Sequence, residues 1–159
     1  MTQLINTFLL LAKNDTRQLP IESINVSAHV DHVSDKLAYL LSDKPIKLVK
    51  QITASATCQA NPALFDIALS NLIPNAFQYT HEGHIEISYS EKQLTVKDTG
   101  FGIPSNEIEN INQAFYSLQP DGVGLGLSIV HRIIWSLGWQ LIVQSQTGEG
   151  TQVTLLFEP

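Results

Sequence analysis

The chain has 159 residues, 43% hydrophobic and 15% charged: long enough to enclose a core without staples and too apolar to be disordered. Nine Lys/Arg against fifteen Asp/Glu leave a net charge of −6, with no basic run to grip a nucleic-acid backbone. The single cysteine, Cys58, excludes an internal disulfide or a multi-cysteine zinc site and fits a reducing compartment. No apolar run predicts a membrane span and no basic-then-apolar leader predicts a signal peptide.

Residues 2–14 read as a helix, with Leu4, Phe8 and Leu11 at i, i+4, i+7 and Ile5, Leu9 and Ala12 one step over. Two readings of this wide stripe stand open: a helix docked on its own domain, and the end of a bundle or dimer helix. Residues 15–24 read as a linker. Residues 25–42 predict a second helix with Val26, Val30, Val33, Leu37, Leu40 and Leu41 on its apolar side, ended by Pro45. Ile46–Ile52 alternates as a strand, and 54–60 is ambiguous, with a short strand as one option. Asn61 caps a third helix, Pro62 opens it, and it runs to about Tyr79.

His84–Ser90 and Gln93–Lys97 alternate as two strands across a tight turn. Residues 99–123 have no sustained period and read as a long loop. Leu125–Leu137 predicts a helix ended by Gly138, and Trp139–Ser145 and Thr151–Phe157 predict two closing strands. The fold class is α/β: a two-layer sandwich with a mixed, mostly antiparallel sheet of about five strands and about three helices on one face.

All nine glycines lie at or after Gly83 and eight at or after Gly100, so special backbone geometry is confined to the second half. Three patterns there and in the third helix can carry chemistry. Asn71, Asn75 and Gln78 share one helical stripe opposite Phe65, Leu69, Leu72 and Ala76. Neutral amides a turn apart can offer oxygens to a hard cation and N–H donors to phosphate. Pro74 between them is expected to kink the helix. Asp98-Thr-Gly-Phe-Gly-Ile103 sets a carboxylate at a strand end before two glycines, which suits a planar base with an exocyclic amine. Gly122-Val-Gly-Leu-Gly-Leu127 opens a helix whose free N–H groups can hold anionic oxygens, without the lysine of a Walker loop. Taken singly, the three also read as a solvated face, a plain turn and a flexible hinge.

Their order resembles the catalytic, ATP-binding domain of bacterial two-component sensor histidine kinases, in the GHKL ATPase superfamily shared with gyrase, mismatch-repair ATPases and the heat-shock chaperone. NLIPNAFQYT (71–80) looks like the N box and DTGFGI (98–103) like the first glycine box. AFY (114–116) looks like the F box, GVGLGLSIV (122–130) like the second glycine box, and GEGTQVTLLF (148–157) like the closing strands. The likeness runs from about residue 25 to 159. It implies a Bergerat-type ATP-binding fold, with residues 1–17 as the end of a dimerisation helix, 18–24 as linker and 25–159 as the catalytic domain.

The resemblance also implies roles. Asn75 would coordinate Mg²⁺ at the triphosphate, and Asn71 would support the phosphates or metal as the candidate catalytic position. Asp98 would bind the adenine amine, Tyr79 would pack on the base, and Gly100, Gly102 and Ile103 would line its pocket. Gly122, Gly124, Leu125, Gly126 and Leu127 would line the phosphates. Gln78 and Thr151 complete the expected ATP-binding set. Related hydrolases carry a glutamate base at position 71; Asn71 cannot take up a proton, which favours phosphoryl transfer to a protein side chain.

Two departures matter. Gln78 stands where the N box usually carries lysine, and Ser117 where arginine usually follows the F box. No Lys or Arg lies between Asp98 and His131, which leaves the triphosphate to Mg²⁺, helix-start N–H groups and Lys97, Arg132 or a histidine. Weak nucleotide binding is therefore expected. The five histidines (His29, His32, His81, His84, His131) lie inside the ATP-binding region and read as surface or satisfied side chains, not metal ligands. With no phosphoacceptor histidine upstream, no autophosphorylation of this chain alone is expected.

The implied partners are a dimerisation and phosphoacceptor domain, a response regulator and a second copy of the full-length protein. No nucleic acid and no membrane contact by this segment are expected, and a cytoplasmic location is. The lid, 104–121, is expected to be disordered without ligand on the ns–μs scale. A non-catalytic nucleotide-sensing module of the same fold is the alternative, and a serine kinase of the anti-sigma-factor type a third reading.

Overall fold

The computed structural model describes residues 20–90, 92–106, 108, 134 and 137–157. Strand β1 (Glu22–Asn25) ends on Asn25, which also caps helix α1 (Val26–Leu37) by accepting from the Ala28 N–H at 2.7 Å. Residues 22–24, expected as linker, are therefore structured: they pair antiparallel with β3 (Thr57–Ala60), with Ile24 opposite Cys58. The second helix stops short of the expected 25–42. At Leu37 the backbone leaves helical geometry (φ −104°, ψ 2°) and Ala38–Leu41 continues as a 3₁₀ turn.

Strand β2 (Ile46–Gln51) follows, and after β3 comes α2 (Pro62–Tyr79). Asn61 accepts from the Leu64 N–H at 3.1 Å, and Pro62 occupies the first turn, where a missing N–H costs nothing. The helix continues unbroken through Pro74. Strands β4 (Gly83–Ser90) and β5 (Gln93–Asp98) form a hairpin whose turn places Lys92 at φ 63°. β6 (Gln140–Gln146) and β7 (Gly150–Leu156) close the chain.

Five strands make one sheet in the order β2-β4-β5-β7-β6; β2 and β4 run parallel and every other pair antiparallel. The expected mixed sheet is present, and β1–β3 adds a separate two-stranded ribbon. Period-two alternation turns Ile85 and Ile87 of β4, Leu94 and Val96 of β5, and Leu155 of β7 to one face. Phe65, Leu69, Leu72, Ile73 and Phe77 of α2 and Val26, Val30 and Val33 of α1 join them in one core. Phe65, Trp139 and Phe157 meet there as a ring cluster, Trp139 and Phe157 at 4.4 Å between centroids.

The expected helix at 2–14, the F box, Ser117, the Gly122–Leu127 motif and nearly all of the 104–121 lid lie outside the described residues. Of the 125–137 helix, Ile134 and Leu137 are helical. Gly138 ends it at φ 76°, and Trp139 N–H donates back to the Ile134 carbonyl at 2.9 Å, the closing bond of a glycine-terminated helix. No helix among the described residues is long and apolar enough to cross a membrane.

Candidate functional site

β5 puts Leu94, Val96 and Asp98 on its inner side, so a carboxylate occupies the end of a row otherwise apolar. Asp98 is 8% exposed. Its Oδ1 accepts two backbone hydrogen bonds, from Gly100 N at 2.9 Å and from Thr151 N at 3.1 Å. Burial raises its pKa above the ordinary carboxylate value, and the two amides offset part of that rise. Oδ2 takes no hydrogen bond from the described residues.

The loop after Asp98 needs its glycines. A Cβ on Gly100 would fall on the Tyr79 carbonyl oxygen, because the loop passes directly against the end of α2. Phe101 N–H donates to that same carbonyl at 3.4 Å. Gly102 sits at φ 75°, and a Cβ there would strike the Gln146 carbonyl. Ile103 N–H donates to Ser145 Oγ at 2.7 Å; Ser145 Oγ donates to the Gly150 carbonyl at 2.9 Å and lies 2.8 Å from Thr151 Oγ1. Asp98, Thr151, Ser145 and Ile103 thus form one continuous hydrogen-bonded floor.

α2 supplies the wall. Asn71, Asn75 and Tyr79 follow at i, i+4 and i+8 and are all half-buried, so they lie on one stripe spaced about 6 Å apart along the axis. Asn71 Nδ2 donates to the Ile67 carbonyl at 2.7 Å. A carbonyl partner fixes the amide orientation, so Asn71 turns its Oδ1 away from that bond. The Tyr79 ring meets Phe101 edge-on at 5.3 Å, with His81 beyond it at 6.3 Å from Phe101. Gln78 is exposed.

Position by position, Asp98, Gly100, Gly102, Ile103, Thr151 and Tyr79 come together, with Asn75 and Asn71 one and two turns up the helix. Lys97, considered as a phosphate cation, is turned to the opposite face of β5 from Asp98 and is exposed. It lines an open cavity of about 270 Å³ with Gln144, Glu149 and Gln152, to which Asp98, Ser145, Gly150 and Thr151 also contribute. Arg132 lies outside the described residues. His29 is a satisfied histidine, paired with Asp66 and edge-on to Phe65. Among the described residues no group of three or more His, Cys, Asp and Glu side chains could hold a metal ion. Cys58 is buried, and burial pushes its thiol up to about 11, which leaves it protonated and inert.

Residues 60–159 match the family model of histidine kinase-, DNA gyrase B-, and HSP90-like ATPases. The chain belongs to this ATPase family. Among curated members it is 33% identical over 164 residues to the adaptive-response sensory kinase SasA of Crocosphaera subtropica, covering 95% of this chain and 43% of that protein. It is 31% identical over 170 residues to the sensor protein IrlS of Burkholderia pseudomallei, covering 99% of this chain and 36% of that one. The chain thus spans less than half the length of these relatives. The crystal structure of full-length ShkA in complex with AMPPNP superposes with a TM-score of 0.80 at 24% identity over 96% of this chain and 34% of that one. The ATPase-family fold is therefore present.

Ser145 was missed from sequence. Alternation along β6 puts Leu141, Val143 and Ser145 on the side away from the exposed Gln140, Ile142, Gln144 and Gln146, and that period-two signal would have singled it out.

Proposed function

We propose that this chain is the ATP-binding catalytic domain of a sensor histidine kinase, donating the γ-phosphoryl group of ATP to a histidine on a dimerisation domain for relay to a response-regulator aspartate. The observation that carries the reading is Asp98. Its Oδ1 is committed to two backbone N–H groups, so the carboxylate cannot rotate, and Oδ2 is left to accept from an exocyclic amine. Gly100 and Gly102 let the loop pack against the Tyr79 and Gln146 carbonyls, which keeps Asp98 in place, and Tyr79 stands beside it.

The stripe from Tyr79 to Asn71 runs about 12 Å up α2, the reach needed from a base to a triphosphate. Asn71 Oδ1 and the Asn75 amide are neutral oxygen donors of the kind Mg²⁺ accepts, so the residues fit the metal. When bound, Mg²⁺ would supply charge neutralisation at the phosphates. Asn75 would hold it, and Asn71 would orient phosphate or metal.

With an amide at position 71, no side chain there can deprotonate water, so the arrangement favours a side-chain nucleophile. In the transfer, a neutral imidazole nitrogen forms the N–P bond as the P–O bond to ADP breaks, and ADP leaves with the electron pair. The glycine-rich 122–127 segment, Leu125 and Leu127 included, is proposed to line the phosphates from its place in the family pattern. Nothing in the described residues favours the non-catalytic alternative. The proposal further comprises a homodimeric full-length protein, a response-regulator partner and a cytoplasmic location.

Calorimetric titration with AMPPNP, with and without Mg²⁺, tests the binding half. Saturable binding that strengthens with Mg²⁺ is expected, and no heat at millimolar nucleotide overturns it. Mixing with a separately expressed histidine-bearing dimerisation domain and radiolabelled ATP tests the transfer; label is expected on that domain and not on this chain.

A further inference from the structure

Helix α2 ends without a cap of its own. Thr80 after it is extended (φ −110°, ψ 126°), and its last turn holds no basic residue, although the final carbonyls of a helix have no partner inside it. The missing donor arrives from another element. Lys44 Nζ donates to the Phe77 carbonyl at 2.8 Å and to the Thr80 carbonyl at 3.2 Å. A cation there meets both the orphan oxygens and the negative end of the helix dipole.

Lys44 is itself fixed. Its N–H donates to the Leu41 carbonyl at 3.1 Å, its carbonyl accepts from Ile46 N at 2.8 Å, and the Pro45 carbonyl accepts from Gly83 N at 3.2 Å. The ammonium therefore grips residues 77 and 80 from a backbone anchored on both sides. Between the two gripped residues lies Tyr79. Its carbonyl accepts from Phe101 N–H and is the surface against which Gly100 is packed. Gly100 N–H in turn holds Asp98 Oδ1. Lys44, the end of α2, the Tyr79 carbonyl, the Gly100–Phe101 loop and Asp98 form one chain of contacts.

We propose that Lys44 is a positioning residue of the nucleotide site: by capping α2 from a distant turn it sets the height of the Tyr79 carbonyl and so the loop that holds Asp98. This role rests on the nucleotide-binding reading above. It acts on the base end of the pocket, because the gripped carbonyls flank Tyr79, whereas Asn75 and Asn71 sit about one and two turns back from Tyr79.

The test compares the unmodified chain with Lys44→Met and Lys44→Arg. Hydrogen exchange at the Gly100 and Phe101 amides is read without ligand, and adenosine and AMPPNP are titrated with and without Mg²⁺. Lys44→Met should speed exchange at both amides and weaken adenosine and AMPPNP by the same factor, on the order of tenfold. The gain from Mg²⁺ should be unchanged, and Lys44→Arg should restore most of the loss. A cap that served stability alone would lower the melting temperature and leave affinity in the folded protein untouched; that result, or unchanged exchange at Gly100 and Phe101, overturns the role. Lys44→Gln, which keeps an N–H donor without the charge, replaces the methionine variant if that one does not fold. An unmodified chain that takes up neither ligand refutes the binding reading and this role with it, whereas binding that Lys44→Met leaves unaltered refutes the role alone.

Discussion

Asp98→Asn separates recognition from folding. The two bonds into Oδ1, at 2.9 and 3.1 Å, come from N–H donors. An asparagine must therefore keep its oxygen in that position, since the flipped amide would set its NH₂ against two donors. Losing the charge weakens two charge-assisted bonds by about 1–2 kcal/mol, and removing a buried carboxylate returns part of this. The net stability change should be about 1 kcal/mol or less. Recognition fares differently, because the orientation that satisfies the backbone puts an N–H donor where Oδ2 was. An exocyclic amine then faces a donor, and affinity for AMPPNP should fall by about 1.5–3 kcal/mol, roughly ten- to a hundredfold. A hypoxanthine nucleotide, with an oxygen in place of the amine, should gain relative to it. Calorimetry with the two nucleotides on both proteins, beside urea unfolding, measures all three quantities. Equal AMPPNP affinity in Asp98→Asn, with the base preference unchanged, would refute the assignment of Oδ2 to the base.

Acid provides a second probe of the same group. Because burial raises the Asp98 pKa, the folded state holds this proton more tightly than the unfolded one. Asp98 therefore lowers stability as pH rises from the ordinary carboxylate value through the raised one, and Asp98→Asn should lack that decline in pH-dependent urea titrations. Base binding should fade on acidification at a pH above that of an ordinary aspartate. Asn75→Ala should remove the Mg²⁺-dependent part of AMPPNP affinity, roughly tenfold or more, and leave adenosine unchanged by calorimetry. Gly148→Ala, at φ 84° with nothing near its Cβ position, should cost only the backbone term, about 1–2 kcal/mol in thermal unfolding. Gly102→Ala adds a collision with the Gln146 backbone to a similar φ and should cost about 2–5 kcal/mol. Asn61→Ala removes both the cap on Leu64 and the 2.9 Å bond to the Pro20 carbonyl, an expected loss of about 1–2 kcal/mol in urea unfolding.

Legibility followed the range of the forces. α2 and strands β4 to β7 declare themselves through local signals: an asparagine cap before a proline, period-two runs, and glycine at turns. β1 does not, because four residues with Ile24 alone buried carry no period; its strand character comes from pairing with β3 more than thirty positions on. The early end of α1 is likewise tertiary, since Leu40 and Leu41 beyond it still pack on the core from a 3₁₀ turn. Asp98 was readable because a carboxylate at a strand end directly before two glycines is a local pattern; that it continues the buried row of Leu94 and Val96 appears only in the fold. The same alternation would have turned Lys97 away from the phosphates. Lys44 was not readable at all: between two turns, an isolated lysine resembles any solvated cation until α2 is seen to end beside it.

Thr151 reaches Asp98 across 53 positions of chain, and β5 pairs with β7 over a similar gap, Val96 opposite Val153. Closing so long a segment delivers no contact energy until the two strands have met. The base pocket should accordingly be among the last parts of the domain to assemble, absent from the transition state for folding. A bound nucleotide would then act as a brake: it would lengthen the lifetime of the native protein and leave the speed of refolding nearly as it was.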